Sequence, residues 1–348
     1  MMHSVLGIDL ALDWADIGSA KLTFAPGGDA FEPVSAPAVQ WPSDALTPDA
    51  LAEAIDTYAR QQGILAVAID GPQGWRDPDT PSGLPGVGRR CEYEARTPAK
   101  TGVCPQTYPA NRVGWIEFSI DVFAALLRKR GVRLAQGDKT VPNPGAGYLL
   151  LECFPTSVWR TAGLNVLPGK AKRIALGPFT EALCAAFRIP RFRPGTHDDL
   201  QAVVAAVAAA AVVGGPAVAV PRGAPAILRE GDEGPILFEG IIWDARPLGS
   251  PSDPPSRAER RDEPEVAPSP GVRVTQAVID QVARAGRSQA QISLAGFPAG
   301  TKNNRVSVVV EAGLERYHSR LGRSPIHRSL PISRRHSACG ARSAATNG

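Results

Sequence analysis

The chain has few cysteines, and their placement suits neither cross-linking nor zinc. There are five in 348 residues, Cys91, Cys104, Cys153, Cys184 and Cys339, and no C-x-x-C pair. An odd count without that spacing excludes a disulfide framework and a zinc cluster, and fits a reducing cytoplasm. Long apolar runs are also missing. The most apolar stretch, Ala202 to Val213, is too short to span a bilayer and stops at Gly214-Gly215-Pro216, so no membrane partner is expected. The N-terminus shows no charged segment leading into an apolar one, so no secretory leader is expected. Lysine is rare, at 7 against 31 arginines, a bias matching a GC-rich bacterial genome.

Charge is unevenly spread. Residues 251–348 hold fifteen Lys+Arg against eight Asp+Glu, a net +7, which leaves −3 for the first 250 residues of a chain whose total is +4. The expected division is a globular domain over 1–248, a Pro/Ser-rich linker over 249–272, and a basic tail over 273–348. The tail reads as mostly disordered, with a short helix and a strand as its only candidate elements. A basic tail suits a polyanion and equally suits a solvated end.

Within the globular part, acids stand at the ends of apolar segments. Val5 to Asp9, Leu65 to Asp70 and Tyr148 to Glu152 each read as a short buried strand closing on a carboxylate, and Asp198-Asp199 opens a long apolar helix. Carboxylates are costly to bury without a partner. Their recurrence at such positions points to one acidic pocket that takes a cation. The bland readings stay open: a turn at Asp9 or Asp70, an ion pair between Glu152 and Arg160, and helix capping by Asp198 and Asp199 after Thr196.

Strands are expected over 5–12, 19–25 and 31–41 as an antiparallel meander. A helix opened by Thr47 and Pro48 should run to about Gln62, followed by a strand over 64–70 parallel to the first. Residues 71–112 show no period. Helices are expected over 113–130, 179–187 and 198–213, with a strand over 148–154 and a last strand or hairpin over 234–243.

This order, with Gly7-Ile8-Asp9, Ile69-Asp70-Gly71-Pro72-Gln73-Gly74, Arg89-Arg90-Cys91-Glu92, Glu152-Cys153-Phe154-Pro155 and His197-Asp198-Asp199-Leu200, resembles the family called domain of unknown function 429, over roughly residues 4–245. The resemblance implies an α/β, ribonuclease H-like fold: a mixed five-stranded core sheet flanked by helices. It implies a phosphodiester-hydrolysing nuclease with two Mg2+ or Mn2+ ions, held by Asp9 as the bridging ligand with Asp70, Glu152 and Asp198 or Asp199 around it. Gln201 stands where many relatives carry a further Asp.

Arg89, Arg90 and Arg96 are the candidate phosphate-binding residues, with intraloop ion pairs as the alternative. Trp75, Tyr93, Tyr108 and Trp115 suit either base stacking or loop packing. His197 suits a helix end or a proton shuttle, and Lys170, Lys172 and Arg173 suit a basic lip or a plain turn. Cys91 and Cys153 read as buried fillers. Two other classes compete with the nuclease. One is a non-catalytic binding module; the other is an actin- or sugar-kinase-like ATPase, which would need a glycine-rich phosphate loop where Leu10 to Trp14 stands.

Overall fold

A computed structural model describes residues 2–79, 87–137, 142–143, 145–231 and 234–250. From residue 251 onward the expected linker and basic tail lie outside the described residues.

The described elements are β1 (His3–Asp9), β2 (Gly18–Phe24), α1 (Pro48–Gln61), β3 (Ile64–Asp70), α2 (Arg90–Glu94), β4 (Lys100–Thr101), β5 (Thr107–Tyr108), α3 (Val113–Leu127), β6 (Arg133–Leu134), β7 (Leu149–Cys153), α4 (Pro155–Thr161), α5 (Gly177–Phe187), α6 (His197–Val212), β8 (Ala217–Gly231) and β9 (Gly234–Pro247). The fold is α/β. Its central sheet runs β2-β1-β3-β7-β9-β8, with β6 also on β7. Pairs β1–β3, β3–β7, β6–β7 and β7–β9 are parallel, and the two outer pairs are antiparallel. The sheet therefore has seven strands rather than five.

Two apolar layers cover it. Leu6, Ile8, Val67, Ile69 and Leu150 face α1 and α3, while Val5, Ala68, Leu149 and Leu151 face α4, α5 and α6. This alternation follows from the two-residue period of a strand. α1 begins as its sequence implies: the Thr47 hydroxyl accepts the Ala50 N–H at 3.1 Å and Pro48 sits in the first turn.

α6 lies unusually close to the sheet. A Cβ on Gly7 would fall 2.0 Å from the Ala202 carbonyl oxygen, and one on Gly18 would fall 2.2 Å from that of Asp198. The alanines of α6, buried from Ala202 to Ala210, give the matching smooth face. This contact seats the first turn of α6 against the end of β1.

The third strand of the expected meander is absent. Residues 31–41 follow β2 through two isolated bridges, Phe31 to Phe24 and Ser35 to Lys21, and scattered bonds such as Ala38 N–H to the Ser19 carbonyl, without forming a strand. Pro33, Pro37 and Pro42 lack the N–H groups that a ladder requires. Conversely, 71–112 is not structureless. It carries α2, the β4–β5 ribbon and a 3-10 turn over Ala110–Arg112. Its first residues are laced to β9, with Trp75 N–H donating to the Leu237 carbonyl and Glu239 N–H to that of Trp75.

Candidate functional site

Asp9 and Asp70 are the last residues of neighbouring parallel strands and sit opposite one another in register. Their side chains therefore leave the same face, the face that α6 covers. The two carboxyls share a hydrogen bond and so titrate as a pair. Burial pushes the Asp9 pKa well up, and the charges of Asp70 and Asp198 add to the rise. Burial likewise carries Asp70 to about 7; the hydrogen bond from Asp9 works against the rise and the Glu152 charge with it. Two carboxylates in contact cannot both ionise without a cation between or beside them.

Asp198 reaches this pair from α6. Its Oδ1 lies 3.3 Å from His197 Nδ1, and Lys170 Nζ donates to its Oδ2 and, at 2.7 Å, to Asp16. Burial pushes the Asp198 pKa up, but His197 and Lys170 outweigh it and hold the carboxyl below its ordinary value. One ligand atom from each of Asp9, His197 and Asp198 falls within 4.8 Å of the others, a grouping that could hold a metal ion. Asp9 thus belongs both to the pair with Asp70 and to the grouping with His197 and Asp198.

Glu152 does not join them as an open ligand. In register it pairs with Ile69, one residue short of Asp70, and Cys153 takes the place beside Asp70. A one-residue offset sends a strand side chain to the opposite face. There Arg89 grips Glu152 in a fork, Nη1 to Oε2 at 2.8 Å and Nη2 to Oε1 at 2.7 Å, and the Gln73 N–H adds a bond at 3.0 Å. Burial raises the Glu152 pKa, and Arg89 and Gln73 only partly offset it. The ion-pair alternative for Glu152 is the observed one, with Arg89 as the partner in place of Arg160.

Asp199 is likewise committed. It accepts the Thr196 N–H at 3.1 Å while Thr196 Oγ1 accepts the Asp199 N–H at 3.0 Å, a reciprocal cap. Gln201 accepts the Trp159 indole N–H at 3.0 Å.

The expected phosphate-binding arginines are not assembled. Arg89 is 1% exposed and also donates through Nη2 to Glu92 at 3.1 Å, so its guanidinium is fully occupied. Arg90 is exposed and paired with Glu94 at 2.7 Å. Arg96 is exposed with φ of 54° and does not line the cavity described below. Lys170 serves the acids rather than an outer lip. Trp75 is buried beneath β9, and the Tyr93 hydroxyl donates to the Val87 carbonyl; both pack the loop. Cys91 and Cys153 are buried fillers, and burial raises both thiol pKa values.

A cavity of about 460 Å3 opens beside the acids. It is lined by Asp70 and Glu152, by Trp115, Ile116 and Phe154, and by the exposed Tyr108 and Arg112. The Trp115 indole N–H donates to the Leu10 carbonyl at 3.2 Å, tying that lining residue to the end of β1. Ser119 Oγ donates to the Pro72 carbonyl at 3.0 Å and holds the loop after Asp70 against α3.

Sequence reasoning missed Arg112, Glu92 as the second carboxylate on Arg89, and Asp244. Asp244 is fully buried and accepts from Ser157, Thr161 and Arg222 through one oxygen. Its signal was an acid inside the apolar run Ile241-Ile242-Trp243-Asp244-Ala245; the signal for Glu92 was its three-residue spacing from Arg89.

Among the described residues no helix is long and apolar enough to cross a membrane. Comparison with family models, with curated proteins and with solved structures finds no match for this chain.

Proposed function

We propose that this chain is a divalent-metal-dependent phosphodiesterase acting on nucleic acid, with a ribonuclease H-like arrangement of acids on its sheet. The observation that carries the reading is the Asp9–Asp70 pair. Two carboxyls hydrogen-bonded at adjacent strand ends, with Asp198 beside them, form an arrangement that a hard cation would relieve. The donor set fits such an ion. Asp9 and Asp198 supply anionic oxygen and His197 can supply a nitrogen within one 4.8 Å grouping, with Asp70 adjoining through Asp9, a set that suits Mn2+ better than Mg2+.

Asp9, Asp70 and Asp198 would hold the metal. When bound, it would lower the pKa of a water and offset charge on a phosphoryl oxygen. The chain's own residues prepare that chemistry. Parallel register fixes Asp9 against Asp70, and the Gly7 contact fixes Asp198 against both. Lys170 tempers the negative charge on the α6 side. The Arg89 fork keeps Glu152 from adding a third unpaired acid next to Asp70.

Glu152 is written out of the ligand set by its pairing, and Asp199 by its cap. Cys91, Cys153 and Cys184 are free thiols, a state that favours a cytoplasmic setting.

The test is hydrolysis of a mixed panel of DNA and RNA oligonucleotides with Mn2+ present. Cleavage that requires the metal and is lost in Asp9→Asn supports the reading. Equal cleavage by wild type and Asp9→Asn assigns the activity to something else.

A further inference from the structure

We propose that the cavity beside Asp70 takes one unpaired nucleotide of a single-stranded nucleic acid, with Tyr108 and Trp115 against its base and Arg112 on its phosphate. The inference rests on the phosphodiesterase reading and names the substrate class for that site.

Size comes first. About 460 Å3 is the scale of a small-molecule site. A base with its sugar fits such a space; a paired duplex does not, because its bases are stacked and covered on both sides. Proteins that read single strands splay bases into pockets and stack them on aromatic rings.

The lining matches that chemistry. Trp115 offers an indole held in place by its bond to Leu10, so little side-chain freedom is lost when a base packs on it. Tyr108 is 61% exposed and makes no side-chain hydrogen bond among the described residues. An aromatic ring left this open gains by covering one face with a base.

Arg112 is the only arginine besides Arg89 among the cavity's described lining residues. Unlike Arg89, it has no side-chain hydrogen bond or ion pair among the described residues. A guanidinium with its donors uncommitted, lining the same cavity as Asp70, suits an anion that also approaches a metal, as a phosphate does. Pro109 lies between Tyr108 and the turn over Ala110–Arg112, so the aromatic ring and the guanidinium are carried by one short segment leading into α3.

The test is fluorescence anisotropy in EDTA with labelled single-stranded dT12 and rU12, and with blunt dA12·dT12 duplex of the same length. At least one single strand should bind about tenfold or more tightly than duplex. Tyr108→Ala and Arg112→Ala, both at exposed positions, should each weaken that binding by about tenfold, and Arg112→Ala should flatten the salt dependence by about one phosphate contact.

Equal affinity for duplex, unchanged binding in both variants, free dTMP binding as tightly as the strand, or no binding by folded protein would each overturn the proposal. Manganese titration of the same samples separates the two levels. Metal binding with strand affinity indifferent to Tyr108 and Arg112 sinks the nucleotide site alone. Strand binding that depends on both residues in a chain that takes no manganese sinks the phosphodiesterase and leaves the nucleotide site in a binding module.

Discussion

Asp9 and Asp70 owe their chemistry to burial and to each other. Both carboxyls have raised pKa values, Asp70 to about 7. A carboxyl whose pKa is higher in the folded than in the unfolded chain stabilises the fold below the ordinary carboxyl range. That contribution is lost as pH rises toward 7. Metal-free protein should therefore lose stability between about pH 4 and pH 7 from this pair. Asp70→Asn should raise the melting temperature at pH 8 without metal by about 6 °C, corresponding to about 2 kcal/mol from no longer burying an ionised carboxylate, and by less at pH 5. A fall at pH 8 would make Asp70 a structural acceptor.

Arg89 behaves in the opposite way. Arg89→Ala would leave Glu152 and Glu92 buried and unpaired, and should cost about 3–5 kcal/mol in chemical denaturation. A variant as stable as wild type would return Arg89 to the role of an open phosphate ligand.

The acids themselves were legible in the sequence as carboxylates closing apolar runs. Their division into ligands and structural groups was not. It depends on a one-residue register offset for Glu152 and on side-chain partners for Asp199, and neither is visible in a linear pattern.

Among the elements, α6 does the positioning. It can place Asp198 near Asp9 only because Gly7 and Gly18 leave no Cβ between helix and sheet. Gly7→Ala drives a methyl into the backbone of Ala202 and Ala206. It should destabilise the fold by about 3 kcal/mol and weaken manganese binding, since Asp198 must move out with its helix. Circular dichroism melts and calorimetry on one sample check both parts. A variant with unchanged stability and affinity would show that the contact is slack.

Helices α1, α3 and α6 were readable from caps and apolar stripes to within a few residues. α4 and β8 went unread. Pro155 opens a seven-residue helix too short to show a period, and β8 carries Pro221, Gly223 and Pro225 through its middle. The expected strand over 31–41 failed for the reason β8 succeeded against expectation: tertiary pairing decides where prolines interrupt a pattern. β8 finds a long antiparallel partner in β9, whereas 31–41 finds two isolated bridges and scattered bonds.

At the scale of the molecule, the first 250 residues contain the seven-stranded sheet, both apolar layers and every proposed ligand. Deleting residues 251–348 should leave a single cooperative unfolding transition and unchanged manganese affinity. A truncated chain that melts without cooperativity would mean that the domain extends past Ser250.

The α/β class and the parallel placement of β1 and β3 could be read from strand-helix-strand order. The sheet's width could not, because β6 is two residues long and β8 lacks alternation.

Manganese binding by calorimetry, on wild type and on Asp9→Asn, tests the central claim most directly. Wild type should bind, with affinity that rises with pH through 7 as protons on the Asp9–Asp70 pair are displaced; Asp9→Asn should not bind. Folded wild type that takes no manganese at pH 8, or Asp9→Asn that binds as wild type does, would contradict the assignment of Asp9, Asp70 and Asp198 to a metal site.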